Sequence, residues 1–122
     1  MAGKKRILLL MTDQQRFDTL AAAGNGAIRT PNLDRLAARG TLFTHAISPE
    51  PLCGPARHTV FTGVPCAPRD FSRNRAHWRP DGRFFTELLA EGGIRTGGFG
   101  KFHFHPQRSH PGFLHYAVHE EF

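Results

Sequence analysis

Five apolar residues in succession, Ile7-Leu8-Leu9-Leu10-Met11, stand between the basic cluster Lys4-Lys5-Arg6 and the polar pair Thr12-Asp13. A run without polar alternation has no face to offer water, so residues 6–12 are expected to form a strand covered on both faces, as in a parallel sheet. Asp13 then falls at the carboxyl end of that strand, where open α/β sheets bind their ligands. The basic cluster followed by apolar residues has the order of an export signal, but the run is too short and no small-residue cleavage site follows it. No other stretch approaches membrane-spanning length, so no membrane association is expected and the expected location is cytoplasmic.

Helix punctuation continues the pattern. Thr30 before Pro31 is a helix start, with Thr at the N-cap and Pro at the first helical position, and Gly40 is a stop. Leu33, Leu36 and Ala37 would be the core stripe of that helix. Residues 41–47 read as a second strand, and Ser48-Pro49-Glu50-Pro51 as a loop that delivers the chain to Cys53. From there a helix is expected to run to about Thr62 and close at Gly63, with Pro55 tolerated in its first turn. The Arg-rich residues 69–82 read as a polar surface connection. Residues 83–91 read as a helix burying Phe84, Phe85, Leu88 and Leu89 and ending at Gly92-Gly93, and residues 94–99 as a third strand. Strands alternating with helices predict an α/β fold with a mainly parallel sheet flanked by helices.

With 122 residues the chain is one domain at most and can bury only a modest core. Its 13 Gly and 9 Pro are spread along the chain, which favours a loop-rich globular protein over a disordered one. Sixteen Lys and Arg against ten Asp and Glu leave a net charge of +6, which attracts anions in general. The basic residues are scattered and no nucleic-acid-binding motif accompanies them, so a solvated basic surface is the better reading and no nucleic-acid partner is expected. Cys53 and Cys66 are not expected to form a structural disulfide, and their spacing to histidines makes no zinc site.

Cys53-Gly54-Pro55-Ala56-Arg57 has the spacing Cys-x-Pro-x-Arg, the pattern read by the enzymes that oxidise a cysteine to formylglycine. The plainer reading of the same residues is a buried cysteine at the start of a helix. A helix N-terminus presents unpaired backbone N–H groups and the positive end of the helix dipole, which suits an anion in either case.

Three segments, in order, decide between these readings by resemblance. Residues 6–18, with Thr12-Asp13-Gln14-Gln15-Arg16, are similar to the opening strand and first metal-binding acid of the sulfatase family within the alkaline phosphatase superfamily. Thr30-Pro31-Asn32-Leu33-Asp34-Arg35-Leu36-Ala37, then Cys53 to Arg57, then Thr62-Gly63, resemble its first helix and modification site. Thr96-Gly97-Gly98-Phe99-Gly100-Lys101-Phe102-His103 resembles its Gly-Lys-Trp-His signature, with Phe102 in place of Trp. The resemblance runs from about Lys5 to the end of the chain, which identifies residues 1–122 as the N-terminal fragment of a sulfatase catalytic domain with a partial alkaline-phosphatase-like fold.

The resemblance implies a sulfuric ester hydrolase. Its nucleophile would be formylglycine made from Cys53 by a formylglycine-generating enzyme, and its substrate an anionic sulfate-ester small molecule. Asp13, Gln14 and the modified Cys53 would bind Ca²⁺, with Mg²⁺ or Mn²⁺ as other hard cations of the same kind. Gln14 departs from the Asp most relatives carry there and would be the weaker ligand. Arg57 resembles the arginine that holds the nucleophile's oxygen, Lys101 the sulfate-binding lysine, and His103 the histidine beside the formylglycine hydroxyl. Read without the family, Asp13 only turns the chain, Lys101 is a surface lysine and His103 is one of eight scattered histidines. His105, His110, His115 and His119 match no standard metal-site spacing and receive no role. A phosphate or phosphonate ester hydrolase on the same scaffold, and an inactive fragment retaining an anion-binding loop, are the competing readings. The family's remaining groups have no matching motif between His103 and Phe122, so no turnover is expected from these residues alone. These groups are an acidic residue and an Asn or His at the metal, a further lysine, and the histidine that protonates the leaving alcohol.

Overall fold

The computed structural model describes residues 6–65, 83–104, 109 and 111–119, which fall into two compact units divided after Ala46. In the first unit, residues 6–12 are extended but belong to no strand, and Ile7 is 94% exposed. This corrects the expected buried first strand. A strand exists only when a neighbour accepts its backbone N–H and C=O groups, and among the described residues nothing pairs with this one. Two short 3₁₀ turns follow, Phe17–Thr19 and Ala21–Ala23, the second closed by Gly24 at φ 101°.

Helix α1, Pro31–Arg39, begins and ends where Thr30-Pro31 and Gly40 predict. Thr30 does not cap it in the expected way, because its hydroxyl makes no bond to the first helical N–H groups. Thr30 Oγ1 accepts from the Ala21 N–H (2.9 Å) and donates to Asp34 Oδ1 (2.9 Å), while Asp34 Oδ1 also accepts from the Ala22 N–H (2.9 Å). Helix start and 3₁₀ turn are thereby tied into one local frame. Leu33 and Leu36 remain exposed, Leu36 by 65%, so the predicted core stripe is not buried, since the described residues of this unit form no sheet face for it to cover. Residues 41–47, the expected second strand, are likewise unpaired and exposed.

The second unit carries the core. Helix α2, Cys53–Thr62, is closed by Gly63 at φ 71°, whose N–H bonds to the Thr59 carbonyl (2.8 Å), as the sequence predicts. Helix α3, Phe85–Glu91, starts two residues later than expected, with Glu87 reaching back to the Phe84 N–H (3.0 Å). Phe84 is buried at its start and Phe85 is half-buried, but Leu88 is not, contrary to the expected stripe. Strand β1, Gly97–Gly100, pairs in parallel with β2, His115–Val118, in the register Gly97↔His115 to Gly100↔Val118. β2 had no sequence-based expectation. The parallel pair with flanking helices is the predicted α/β class. Residues 69–82 lie outside the described residues.

Phe61, Phe84, Phe102 and Phe104 are buried, and Phe85, Phe113 and Tyr116 pack against them. Their rings meet stacked or edge-on, Phe61 on Phe85 at 5.2 Å and Phe61 on Phe104 at 5.1 Å between centroids, geometries that add about 0.5–1.5 kcal/mol per pair beyond burial. A cluster of this kind needs gaps in the backbone to fill. Gly98 supplies one, since a Cβ there would lie 2.7 Å from Phe102 Cζ. The Pro111-Gly112 turn then locks β2 to α3: Thr86 Oγ1 donates to the Pro111 carbonyl and Thr96 Oγ1 to that of Gly112, both at 2.6 Å.

Candidate active site

Four of the six predicted site residues meet in the second unit. Cys53 is the first residue of α2, half-buried and outside any disulfide, and its helix start carries no side-chain cap. Beside the thiol the helix start presents the backbone N–H groups of Cys53 and Gly54, since Pro55 has none and that of Ala56 bonds to the Leu52 carbonyl (3.0 Å). Arg57, four residues on, is one turn further along the same helix. Lys101, Phe102 and His103 follow directly on β1, after Gly100 turns the chain at φ 100°.

Two contacts join the helix to the strand end. Cys53 Sγ lies 2.9 Å from His103 Nδ1, and Arg57 Nη1 donates to the Lys101 backbone carbonyl at 2.6 Å. Arg57 is buried, with 7% of its surface exposed, so this cation sits out of water with Nη1 directed at a backbone acceptor. Lys101 is exposed, and its backbone rather than its ammonium group meets Arg57.

Backbone strain marks two of the predicted residues, one in each unit. Among the described residues, two non-glycine residues have positive φ, His103 at 58° and Gln14 at 55°, and both are predicted site residues. Such conformations cost about 1–3 kcal/mol and persist where the surroundings over-determine them, often at functional sites. For His103 the surroundings are Phe102 and Phe104, both in the aromatic core.

Asp13 and Gln14 belong to the first unit, exposed at the end of its apolar segment. A carboxylate and an amide oxygen are donors of the type a hard cation takes, so the pair fits Ca²⁺ or Mg²⁺ in chemistry. The described residues bring no three His, Cys, Asp or Glu together, so these two donors would make part of a shell and not a whole one.

Sequence reasoning did not single out His58, which is buried on α2 next to Arg57. Burial pushes its imidazole below the ordinary value of 6.5, with a hydrogen bond to the Val64 backbone acting the other way. Nothing in the spacing distinguishes it from the other histidines. His105 and His110 lie outside the described residues, whereas His115 is in β2 and His119 just beyond it. No helix among the described residues is long and apolar enough to cross a membrane.

The sulfatase family model matches residues 5–118. The chain is similar to an arylsulfatase of Clostridium perfringens, 32% identical over 97% of this chain and 27% of that protein. It is also similar to an N-acetylglucosamine-6-O-sulfatase of Bacteroides thetaiotaomicron, 31% identical over 94% of this chain and 20% of that protein. A third likeness is to the N-acetylgalactosamine-6-sulfatase of Homo sapiens, 35% identical over 86% of this chain and 23% of that protein. The chain thus spans about a quarter or less of the length of these relatives. With a family model covering nearly all of its residues, the chain belongs to the sulfatase family.

Proposed function

We propose that this chain supplies the nucleophile side of a sulfuric ester hydrolase site, with Cys53 as the precursor of the nucleophile. The observation that carries the reading is the 2.9 Å contact between Cys53 Sγ and His103 Nδ1 at an uncapped helix N-terminus. Nucleophile, proton carrier and anion-binding N–H groups are the three things that attack on a sulfate ester requires in one place. Converted to formylglycine and hydrated, position 53 would offer one hydroxyl to displace the alcohol from sulfur and a second whose deprotonation expels sulfate and restores the aldehyde. The thiol sulfur stands where the attached oxygens would be.

His103 Nδ1, within hydrogen-bond reach of that position, is the group that takes and holds the proton. Lys101 adds a compact positive charge at the strand end for the sulfate oxygens. Arg57, buried one turn along α2, supplies fixed donors beside the nucleophile. Asp13 and Gln14 are the oxygen donors proposed for a divalent cation, Ca²⁺ first, which would balance the sulfate charge and favour the deprotonated nucleophile. The proposed substrate is an anionic sulfate-ester small molecule, and the proposed maturation partner a formylglycine-generating enzyme. The residues form the N-terminal fragment of the catalytic domain in this reading.

The test is peptide mass spectrometry after co-expression with a competent formylglycine-generating enzyme. The tryptic peptide containing Cys53 is expected to carry an aldehyde that reacts with aminooxy probes, while Cys66, which has Pro68 at the required offset but Asp70 where the pattern needs Arg, stays a thiol. An intact Cys53 thiol in every preparation, beside a control substrate that is converted, removes this mechanism.

A further inference from the structure

We infer that Arg57 is a positioning residue for His103, acting through the backbone carbonyl of Lys101. The contacts form a short closed circuit. Cys53 and Arg57 are joined by one turn of α2, Arg57 Nη1 meets the Lys101 carbonyl at 2.6 Å, Lys101 is two residues from His103, and His103 Nδ1 returns to Cys53 Sγ at 2.9 Å. Apart from the two hydrogen-bonded contacts, every link in this circuit is a few residues of contiguous chain. Fixing one contact therefore restricts the other.

His103 needs such a hold. Its φ of 58° is a sparsely populated conformation for a residue with a side chain, and it survives only where neighbouring groups leave no alternative. Phe102 and Phe104 anchor both flanks against Phe61 near the C-terminal end of α2, and the Arg57 guanidinium adds a hold one turn from Cys53. It is buried, it is a charge-assisted donor, and it is aimed at the carbonyl directly before the Phe102-His103 step. An arginine is suited to this because a planar head on a long stem reaches an acceptor on another element in a fixed orientation. The importance of this positioning for turnover rests on the reading of Cys53 as nucleophile, but the positioning itself does not.

The experiment observes the His103 ring by long-range ¹H–¹⁵N correlation NMR in the ¹⁵N-labelled 122-residue chain at one fixed pH, with Cys53 unmodified. Cys53→Ala defines the signal of a His103 that has lost its partner, and ring-current-shifted resonances of Phe61, Phe102 and Phe104 report the core. In Arg57→Met, which keeps the apolar stem and removes the donors, the His103 Nδ1 signal is expected to move to its Cys53→Ala position while the core resonances stay. A folded Arg57→Met with the wild-type His103 signal overturns the inference. Should the Met variant lose its core resonances, Arg57→Gln, shorter but polar, is read by the same criterion. Loss of the core in both variants also overturns it, because Arg57 is then a determinant of the fold rather than of His103. A Cys53 that is never converted to formylglycine sinks the proposed function and leaves this result standing.

Discussion

Gly112→Ala should destabilise the second unit far more than its one added methyl suggests, and Gly93→Ala shows why. Both glycines have the same left-handed backbone, φ 73° and 74°, so alanine incurs the same conformational cost of about 1–2 kcal/mol at either site. They differ in their surroundings. A Cβ at Gly93 meets nothing within 4 Å, whereas one at Gly112 would lie 2.3 Å from the Glu87 nitrogen and 2.4 Å from the Thr86 carbonyl oxygen. These are backbone atoms of α3 and cannot swing aside as a side chain would. The Pro111-Gly112 turn must lift, which strains or breaks the Thr86 and Thr96 hydrogen bonds to its two carbonyls, each contributing about 1 kcal/mol. Adding overpacking of about 1–3 kcal/mol gives a total of about 4–7 kcal/mol for Gly112→Ala if both bonds break, against about 1–2 for Gly93→Ala. Denaturant unfolding followed by near-UV circular dichroism of the aromatic cluster measures both. Equal midpoints for the two variants would refute the close-approach argument.

Other perturbations test the site and its surroundings. In a complete catalytic domain, Asp13→Ala is expected to weaken Ca²⁺ binding by at least about 100-fold in a calcium titration, more than loss of an outer-shell partner costs. Gln14→Ala should be milder, because a neutral amide contributes less than a carboxylate, and unchanged metal content in Asp13→Ala would dismiss the assignment. His58 gives a pH dependence whose sign follows from its lowered pKa: the unfolded chain binds the proton more readily, so stability is full above about 6.5 and falls as pH drops towards the folded value. Replacing His58 with Gln should flatten that acid limb in unfolding midpoints measured between pH 7 and pH 5, and an unaltered slope would count against burial as its cause.

Helices were legible because their signals are local. Thr30-Pro31, Gly40, Gly63 and the Gly92-Gly93 pair mark the ends of α1, α2 and α3 to within a residue or two, and each acts on its own turn of backbone. Strands were less so: residues 94–99 were expected as one and β1 covers Gly97–Gly100, but a ladder needs a partner that no local pattern names. Residues 6–12 and 41–47 have strand composition and no partner among the described residues, while His115-Tyr116-Ala117-Val118 has little strand signature and pairs with β1. The site divides in the same way. Cys53 and Arg57 lie one turn apart on a helix that the sequence predicts. The approach of His103 to Cys53 across fifty residues followed from family resemblance and not from spacing. The Arg57 bond to Lys101 was invisible, because its acceptor is a backbone carbonyl and every residue has one.

The aromatic core and the candidate site are built from the same four consecutive residues. From Lys101 to Phe104 exposure alternates, with Lys101 open, Phe102 buried, His103 half-buried and Phe104 buried. The two phenylalanines enter a cluster with Phe61 of α2 and Phe113 beside β2, so they are fixed against both the helix that carries Cys53 and the turn locked by Thr86 and Thr96. His103 is left on the other side of the chain with its Nδ1 2.9 Å from Cys53 Sγ, while Lys101 is exposed. A close-packed interior tolerates displacements of only a fraction of an ångström, and a misplacement of about 1 Å costs a reacting pair roughly 100-fold in rate. His103, the proposed proton carrier, is thereby held with the tolerance of a core and not with that of a loop, and its strained φ is the local cost of joining the two.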